Sequence, residues 1–195
     1  MNRTVVLATH NLHKVAELAR ILEGLDVTLR SAHDLALPDV DETGDTFAAN
    51  ALLKARAAAE ATGLPAIADD SGLVVDALDG APGIFSARYA GPQRDDEDNL
   101  ALVLARMRGV AQRQARFVCA AALAGPDCAQ VREGVLEGEL TTEPRGDGGF
   151  GYDPILVPLG HQRTCAELTP AEKDAISHRG AAFRALREDL VACLG

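Results

Sequence analysis

Short apolar, β-branched runs alternate along the chain with segments in which apolar residues recur every three or four positions. The short runs predict β-strands at residues 4–8, 27–29, 115–123, 131–140 and 155–157. The three-to-four spacing predicts α-helices around residues 15–22, at 47–62, at 95–107, from 170 onward and at 177–193. Because the two patterns alternate without a linker or an internal repeat, the sequence predicts a mixed α/β fold in one compact unit.

Local signals fix the ends of two of these helices. Thr46 is a typical N-cap for the helix that follows it, and Gly63 is a typical helix stop. Thr169 and Glu172 form a capping-box pattern with Pro170 at the first helical position, so we expect a helix to begin there.

Two stretches rich in turn residues interrupt the regular patterns. Ser71 and Gly72 separate the strand-like runs 65–70 and 73–78, which predicts a tight hairpin or a bend at the edge of a sheet. Glycine and proline are so dense in residues 79–94 that we expect no regular structure there.

The charge balance narrows the classes of binding partner. The 195 residues include 19 basic and 29 acidic side chains, which gives a formal net charge of −10. Duplex-binding domains usually carry a broad basic surface, so we do not expect nucleic acid as a partner. A small anionic ligand is compatible with this charge because a few lysines and arginines can converge on one site within an acidic protein.

The cysteines and the first apolar run bear on the compartment. Cys119, Cys128, Cys165 and Cys193 lie far apart and form no C-x-x-C pair. This spacing indicates neither a zinc site nor a redox motif, and we expect four free thiols. The apolar run 5–8 is too short for a signal peptide or a membrane span, which predicts a cytoplasmic protein with no membrane partner.

The first predicted strand meets the first predicted helix in a polar loop. Such a junction can receive phosphate on backbone N–H groups at the positive end of the helix dipole, and Lys14 would add a charge. The loop is not a Walker loop, and a polar helix cap with a solvated lysine is the alternative. The loop residues are Thr9, His10, Asn11, Leu12, His13 and Lys14.

Carboxylates in two separate segments suit a divalent cation. Glu42 and the pair Asp69 and Asp70 offer oxygen ligands of the kind that Mg²⁺ binds while it keeps several waters. Successive strand residues face opposite sides, so we expect only one of the paired aspartates to face a given site. A solvated turn is the alternative for this pair.

A third acidic segment, Asp39-x-Asp41-x-Thr43, matches the nucleophile loop of aspartate-based phosphatases and part of a calcium loop. The phosphatase loop follows a buried apolar strand, whereas Pro38 precedes this segment. The twelfth position of the calcium loop is Asn50 instead of glutamate. Both matches are therefore weak.

A glycine-rich aromatic segment and three cationic residues form a further group. Residues 149–153 are followed by Lys173, His178 and Arg179, which lie near two predicted helix starts. Aromatic rings and cations together suit a planar base and a phosphate. A solvated charged helix face is the alternative.

Five segments, in this order along the chain, resemble the inosine triphosphate pyrophosphatase family of non-standard purine nucleotide hydrolases. The segments are LATHNLHKVAEL, ETGDTFAANALLKARAA, AIADDSGLVVDALDGAPGIFSARYAG, GGFGYDPI and AELTPAEKDAISHRGAA. The resemblance covers nearly the whole chain and implies a single nucleoside-triphosphate pyrophosphatase domain over residues 1–195. It also implies an α/β fold with an elongated mixed sheet, flanking helices and two lobes around a central nucleotide cleft.

The motifs of the family imply a role for each matching residue. The residues that would bind the triphosphate are Thr9, Asn11, Lys14 and Lys54. Glu42 and Asp70 would bind Mg²⁺, Asp70 would also be the general base, and Ser71 would touch the substrate. The residues that would frame the purine are Phe150, Gly151, Tyr152, Asp153, Lys173, His178 and Arg179.

The implied reaction is hydrolysis of ITP, dITP or XTP to the nucleoside monophosphate and pyrophosphate by a homodimer. His10 and His13 stand where many family members have glycine, so the approach of backbone to phosphate differs here or the imidazoles add donors. Two other functions stay open: a nucleotide-binding regulator without turnover, and a phosphomonoesterase with Asp39 as nucleophile.

Overall fold

The protein is described here by a computed structural model that covers residues 3–195. Its α-helices are α1 (Leu12–Ile21), α2 (Phe47–Thr62), α3 (Asp96–Arg106), α4 (Pro170–Ile176) and α5 (His178–Cys193). Its strands are β1 (Arg3–Leu7), β2 (Val27–Ser31), β3 (Ala66–Val75), β4 (Gln114–Ala124), β5 (Ala129–Leu140) and β6 (Leu156–Pro158). Among these residues, no helix is both long enough and apolar enough to cross a membrane.

The strands form one six-stranded mixed sheet in the order β2-β1-β3-β4-β5-β6. Strand β1 pairs in parallel with both β2 and β3, whereas β5 and β6 pair antiparallel. Parallel neighbours need a crossover connection, and α1 supplies it between β1 and β2. The predicted α/β class with a mixed sheet and flanking helices is confirmed.

The chain divides into two compact units, each with its own apolar core. The first unit contains the residues up to Asp70 together with Cys119–Gly134 and Arg179–Gly195, and the second contains Ser71–Val118 and Val135–His178. The core of the first unit includes Val5, Leu7, Leu18, Ile67, Leu123, Phe183 and Leu190. The core of the second unit includes Leu73, Val75, Val103, Phe117, Tyr152, Ile155 and Leu156.

Alanines in the first unit bring α2 against the sheet. The buried members of this cluster are Ala51, Ala55, Ala68, Ala120, Ala122 and Ala124. Because the distance between packed elements depends on the side chains at the contact, alanine lets the backbone of α2 lie close to the strands. This packing places Asn50 and Lys54, one helical turn apart, beside the end of the β3 segment that belongs to the first unit.

The predicted helix ends are confirmed. Thr46 accepts a hydrogen bond from the N–H of Ala49, and Gly63 ends α2 in the left-handed conformation with φ of 67°. Thr169 and Glu172 form the reciprocal capping box, and Pro170 is the first residue of α4. These signals depend on a few neighbouring residues, which is why the sequence reveals them.

The prediction of a hairpin or bend at Ser71 and Gly72 is wrong, because β3 runs without interruption from Ala66 to Val75. A Cβ atom at Gly72 would overlap the Ser86 hydroxyl and the Gly83 carbonyl. The hydroxyl of Ser86 accepts from the N–H of Leu73 at 2.9 Å. Glycine is therefore needed at residue 72 because the 83–86 segment approaches closely, and not because the chain turns there.

The segment 79–94 is also more regular than predicted, because Gly83–Arg88 forms a short 3-10 helix. Further along, residue 155 belongs to the short 3-10 helix Asp153–Ile155, and β6 begins one residue later. Turn-forming residues predict the absence of long elements in these segments, but 3-10 helices of one or two turns are compatible with such residues.

The prediction of four free thiols is wrong for two of the cysteines. Cys128, which precedes β5, and Cys193, at the end of α5, form a disulfide across 65 residues of sequence. Cys119 and Cys165 are free and buried. Sequence spacing gives no sign of this disulfide because the fold alone brings a strand connection beside the end of a distant helix.

Candidate active site

The loop between β1 and α1 is held by two of its own side chains. Asn11 is the N-cap of α1, and its Oδ1 accepts from the N–H groups of His13 and Lys14 at 2.9 and 3.2 Å. Thr9 Oγ1 accepts from the N–H of Asn11 at 3.2 Å. Leu12 is 65% exposed. The loop is therefore preorganised, with Lys14 in the first turn of the helix.

His10, in the same loop, lies beside an acidic residue. Its Nε2 atom is 3.5 Å from Oδ1 of Asp39, whose side chain is 89% exposed. Asp39 and its neighbours form neither a strand nor a helix. A phosphatase nucleophile needs a buried strand before it, so this geometry disfavours Asp39 as a nucleophile.

Asp69 lies in a buried network of ion pairs in the first unit. Lys14 Nζ is 3.0 Å from Asp69 Oδ2, and Nε and Nη2 of Arg179 donate to the same oxygen at 3.2 and 3.1 Å. Burial alone would raise the pKa of Asp69, but the positive charges of Lys14 and Arg179 outweigh it and hold that pKa well below its ordinary value. Asp69 is therefore ionised at neutral pH.

The network extends to a carboxylate that the sequence reasoning missed. Nη1 of Arg179 donates to Oε2 of Glu17, which lies on α1 and is 6% exposed. Three nitrogens of the Arg179 guanidinium thus donate to carboxylates. A contact between Arg179 and a purine stays a prediction. In the sequence Glu17 is only an acidic residue of a predicted helix, and this does not identify a partner 162 residues away.

Asp70 faces a different set of partners. Asn50 Nδ2 donates to Asp70 Oδ2 at 3.1 Å, and Asn50 Oδ1 accepts from the N–H of Gly44 at 2.8 Å. Lys54 Nζ lies 2.6 Å from Glu42 Oε1 and 3.8 Å from Asp70 Oδ1. Asn50, which is fully buried, thus orients Asp70, and sequence reasoning gave it no role at this site.

The electrostatics around Asp70 differ from those around Asp69. Burial raises the pKa of Asp70, the charge of Lys54 lowers it and that of Glu42 raises it, with an increase as the net result. Burial would lower the pKa of Lys54, but Asp70, Asp69 and Glu42 outweigh it and raise that pKa. Lys54 is therefore an ammonium beside two carboxylates.

The residues around Lys54 are compatible with a divalent cation. Within residues 3–195, no group of three or more histidine, cysteine or acidic side chains could hold a metal ion. Glu42 and Asp70 are both oxygen donors close to one ammonium, and Glu42 raises the pKa of Asp70, so added positive charge would be stabilised there. Mg²⁺ often takes one or two protein carboxylates and fills its other positions with water and phosphate. The donor set fits that mode.

In the second unit, an ion pair holds the predicted aromatic loop. Oδ2 of the buried Asp153 accepts from the N–H of Phe150 at 2.9 Å and from Lys173 Nζ at 2.6 Å. The Lys173 ammonium lies 5.0 Å from the centroid of the Phe150 ring. A Cβ atom at Gly149 would overlap the Asp153 carboxylate, so glycine is needed beside this turn. The carboxylate and the lysine together fix where the Phe150 ring stands.

Tyr152 and His178 have further partners in the second unit. The Tyr152 hydroxyl donates to the Ser86 carbonyl at 2.8 Å. Burial raises the pKa of Tyr152, so the phenol stays protonated and keeps this bond. The His178 ring stacks on Phe117 with centroids 4.9 Å apart. Ser71, within β3, is half-buried.

Each unit therefore brings together part of the predicted set. The first unit collects Lys14, Glu42, Lys54, Asp69, Asp70 and Arg179 through direct ion pairs. The second unit collects Phe150, Asp153 and Lys173 around one turn. The first group has the charges that phosphates and a cation need, and the second has the ring that a planar base needs.

Comparisons with known proteins match almost the whole chain. Residues 5–189 match the model of the Ham1 family. A dITP/XTP pyrophosphatase of Streptomyces coelicolor is 59% identical over 192 residues, which is 93% of this chain and 94% of that protein. The solved structure of a HAM1 protein from Coxiella burnetii is 46% identical with a TM-score of 0.88, covering 97% of this chain and 99% of that one. The Ham1 protein of Staphylococcus aureus is 40% identical with a TM-score of 0.87, at the same coverage of both chains. With a family model and relatives that span nearly its full length, the chain belongs to the Ham1 family, as its five sequence segments predicted.

Proposed function

We propose that this protein hydrolyses non-standard purine nucleoside triphosphates, ITP, dITP or XTP, to the nucleoside monophosphate and pyrophosphate. The observation that carries the proposal is the environment of Asp70, a buried carboxylate beside Glu42 and Lys54 in a chain whose relatives are named dITP/XTP pyrophosphatases. The cations of the first unit are of the kind that bind phosphate, and the aromatic ring of Phe150 is of the kind that stacks on a planar base.

In this proposal Asp70 is the general base. Its carboxylate is buried, and the hydrogen bond from Asn50 fixes its orientation, so it is positioned to accept a proton from water. Water attacks a phosphorus atom of the α–β linkage as Asp70 accepts its proton. The bond from that phosphorus to the bridging oxygen breaks, and the electron pair leaves with that oxygen on the departing product.

Lys14 and Lys54 stabilise negative charge on the phosphates. Each ammonium is already paired with carboxylates, Lys14 with Asp69 and Lys54 with Glu42, so both side chains are oriented before substrate binds. Mg²⁺ held by Glu42 and Asp70 would neutralise phosphate charge and position water. Thr9 and Asn11 keep the loop before α1 in the shape in which its backbone meets the phosphates.

The base preference in this proposal comes from the second unit and the start of α5. Phe150 offers an aromatic face for the purine. The loop around this ring is held in place by contacts of Gly151, Tyr152, Asp153 and Lys173. His178 and Arg179 are proposed as donors to the 6-oxo group of hypoxanthine or xanthine, and Ser71 as a further substrate contact. A buried donor opposite the 6-amino group of adenine would be left unpaired, at a cost of about 1–3 kcal/mol.

The test identifies the phosphate product from dITP or ITP with Mg²⁺. Release of pyrophosphate supports the proposal, release of orthophosphate supports a phosphomonoesterase, and binding without turnover supports a regulator. Asp70→Asn should lower kcat by about 10²- to 10⁴-fold without changing the melting temperature beyond a few degrees. The matched control is Asp39→Asn, which should leave kcat unchanged within about twofold.

The assembly and compartment belong to the same proposal. A homodimer in the cytoplasm is what the resemblance to the family implies, and sedimentation of the purified protein tests the dimer. The net charge of −10 supports a small-molecule substrate over nucleic acid.

A further inference from the structure

The loop that carries Phe150 has little intrinsic preference for one conformation. Gly149 and Gly151 both have positive φ, 72° and 61°. Glycine loses more backbone entropy than other residues when its conformation is fixed. A loop with two such glycines therefore needs contacts with other segments to keep an aromatic ring in one place.

One anchor comes from a residue that the family resemblance did not include. Oδ2 of Asp96 accepts from the N–H of Gly151 at 2.9 Å, across 55 residues of sequence. The neighbouring N–H, that of Phe150, donates to Asp153. Two consecutive backbone donors of the loop are thus each held by a carboxylate, one buried and one exposed.

The carboxylate of Asp96 is available because another residue caps its helix. Asp95 is the N-cap of α3, and its Oδ1 accepts from the N–H of Asp98 at 2.9 Å. Asp96, the first residue of α3, therefore adds to the favourable charge at the helix start and can still use its oxygen on Gly151.

Helix α3 is hydrogen-bonded to the 83–91 segment, which also contacts the loop that carries Phe150. The buried Asn99 accepts from the N–H of Ala90 at 2.7 Å and donates to the Ala87 carbonyl at 3.2 Å. The same 83–91 segment supplies the Ser86 carbonyl that binds the Tyr152 hydroxyl. The loop is therefore held at residues 151 and 152 by one frame built from α3 and this segment.

We propose that Asp96 is a positioning residue for base recognition, which holds the backbone at Gly151 and thereby the adjacent Phe150 ring against which the purine stacks. The inference rests on the proposed function, because it assigns the support of the base end of the same site. Its signature is a loss of affinity for the base end of the substrate with unchanged affinity for the phosphate end.

The experiment compares Asp96→Ala with Asp98→Ala, since both substitutions remove one exposed first-turn carboxylate from α3. Inhibition of ITP hydrolysis by inosine monophosphate and by pyrophosphate reports the two ends of the site separately. For Asp96→Ala we expect the inhibition constant of inosine monophosphate to rise about fivefold, and that of pyrophosphate to stay within about twofold. A fivefold change corresponds to about 1 kcal/mol. Asp98→Ala should leave both constants unchanged within about twofold.

Asp96→Asn keeps an acceptor oxygen and should recover most of the affinity for inosine monophosphate, a rescue that a general loss of stability would not show. If Asp96→Ala does not fold, Asp96→Ser, whose oxygen lies one bond closer to the backbone, carries the same expectation. Equal weakening of both inhibitors, or an Asp96→Ala variant that matches Asp98→Ala, would overturn the inference. If the wild-type protein does not hydrolyse ITP at all, the proposed function fails first, so the two failures are distinct.

Discussion

The network around Arg179 leads to a quantitative prediction for Arg179→Met. The guanidinium is 2% exposed and donates to Asp69 and Glu17. Methionine keeps much of the apolar length and removes the charge, so two buried carboxylates lose this cation while Lys14 stays on Asp69. Breaking a buried pair by removing one partner costs about 3–5 kcal/mol. For a chain of this size each kcal/mol lowers Tm by about 2–4 °C, so the expected loss is about 6–20 °C.

The assay is thermal unfolding followed by circular dichroism at pH 7, with Arg184→Met as control because Arg184 is exposed on the same helix. Asp69 has a lowered pKa, so its pairing contributes stability above its ordinary pKa of 3.8 and loses it as pH falls through the lowered value. Neutral pH therefore shows the full deficit. Replacing Glu17 by glutamine in the Arg179→Met background should restore part of the loss. A loss under about 2 °C, or one equal to that of Arg184→Met, would refute the reasoning.

Three further predictions test other parts of the structure. The Glu172 carboxylate accepts from Arg163 and from the Thr169 N–H, which lowers its pKa from 4.5 to about 2. Glu172→Gln should therefore lower Tm at pH 7, and the difference should shrink as pH falls from about 4.5 toward about 2. Cys128→Ser removes a disulfide across 65 residues and should cost about 4 kcal/mol of unfolding free energy in urea titrations. Its activity at 25 °C should persist, and a folded but inactive variant would contradict this expectation. Lys14→Ala should lower kcat/KM for ITP and ATP alike, and a change of more than about twofold in their ratio would argue against a phosphate role.

Features encoded by neighbouring residues could be predicted from the sequence. The ends of α2 and the start of α4 depend on caps within four residues, and all of them were predicted. Strand alternation predicted that only one of Asp69 and Asp70 faces a given site, and in the structure Lys14 contacts Asp69 whereas Asn50 contacts Asp70. The roles predicted for residues in the loops 9–14 and 149–153 came from the resemblance to the family.

Features that depend on contacts distant in sequence could not be predicted. Gly72 looks like a turn residue, but its lack of a side chain serves a contact with residues 83–86. Asn50 appears in the sequence as one polar residue of an alanine-rich helix, and only the packing of α2 places it on Asp70. The carboxylate partners of Arg179, Asp69 and Glu17, lie more than 100 residues away in sequence, and no local pattern indicates them.

In the proposed function, the charges of the first unit's cluster give a divalent cation a role in binding the triphosphate. Three positive side chains are linked there to four carboxylates, and the members are Lys14, Lys54, Arg179, Glu17, Glu42, Asp69 and Asp70. The cluster is thus net negative, although a triphosphate itself carries several negative charges. Lysines alone would therefore not attract the substrate, because their charge is already matched. A divalent cation at Glu42 and Asp70 would reverse the sign of the local field, whereas Asp69 keeps Lys14 in place without contributing a free negative charge. In the proposed function the two adjacent aspartates therefore have separate roles: Asp69 neutralises cations of the protein, and Asp70 would bind the metal and accept a proton from water.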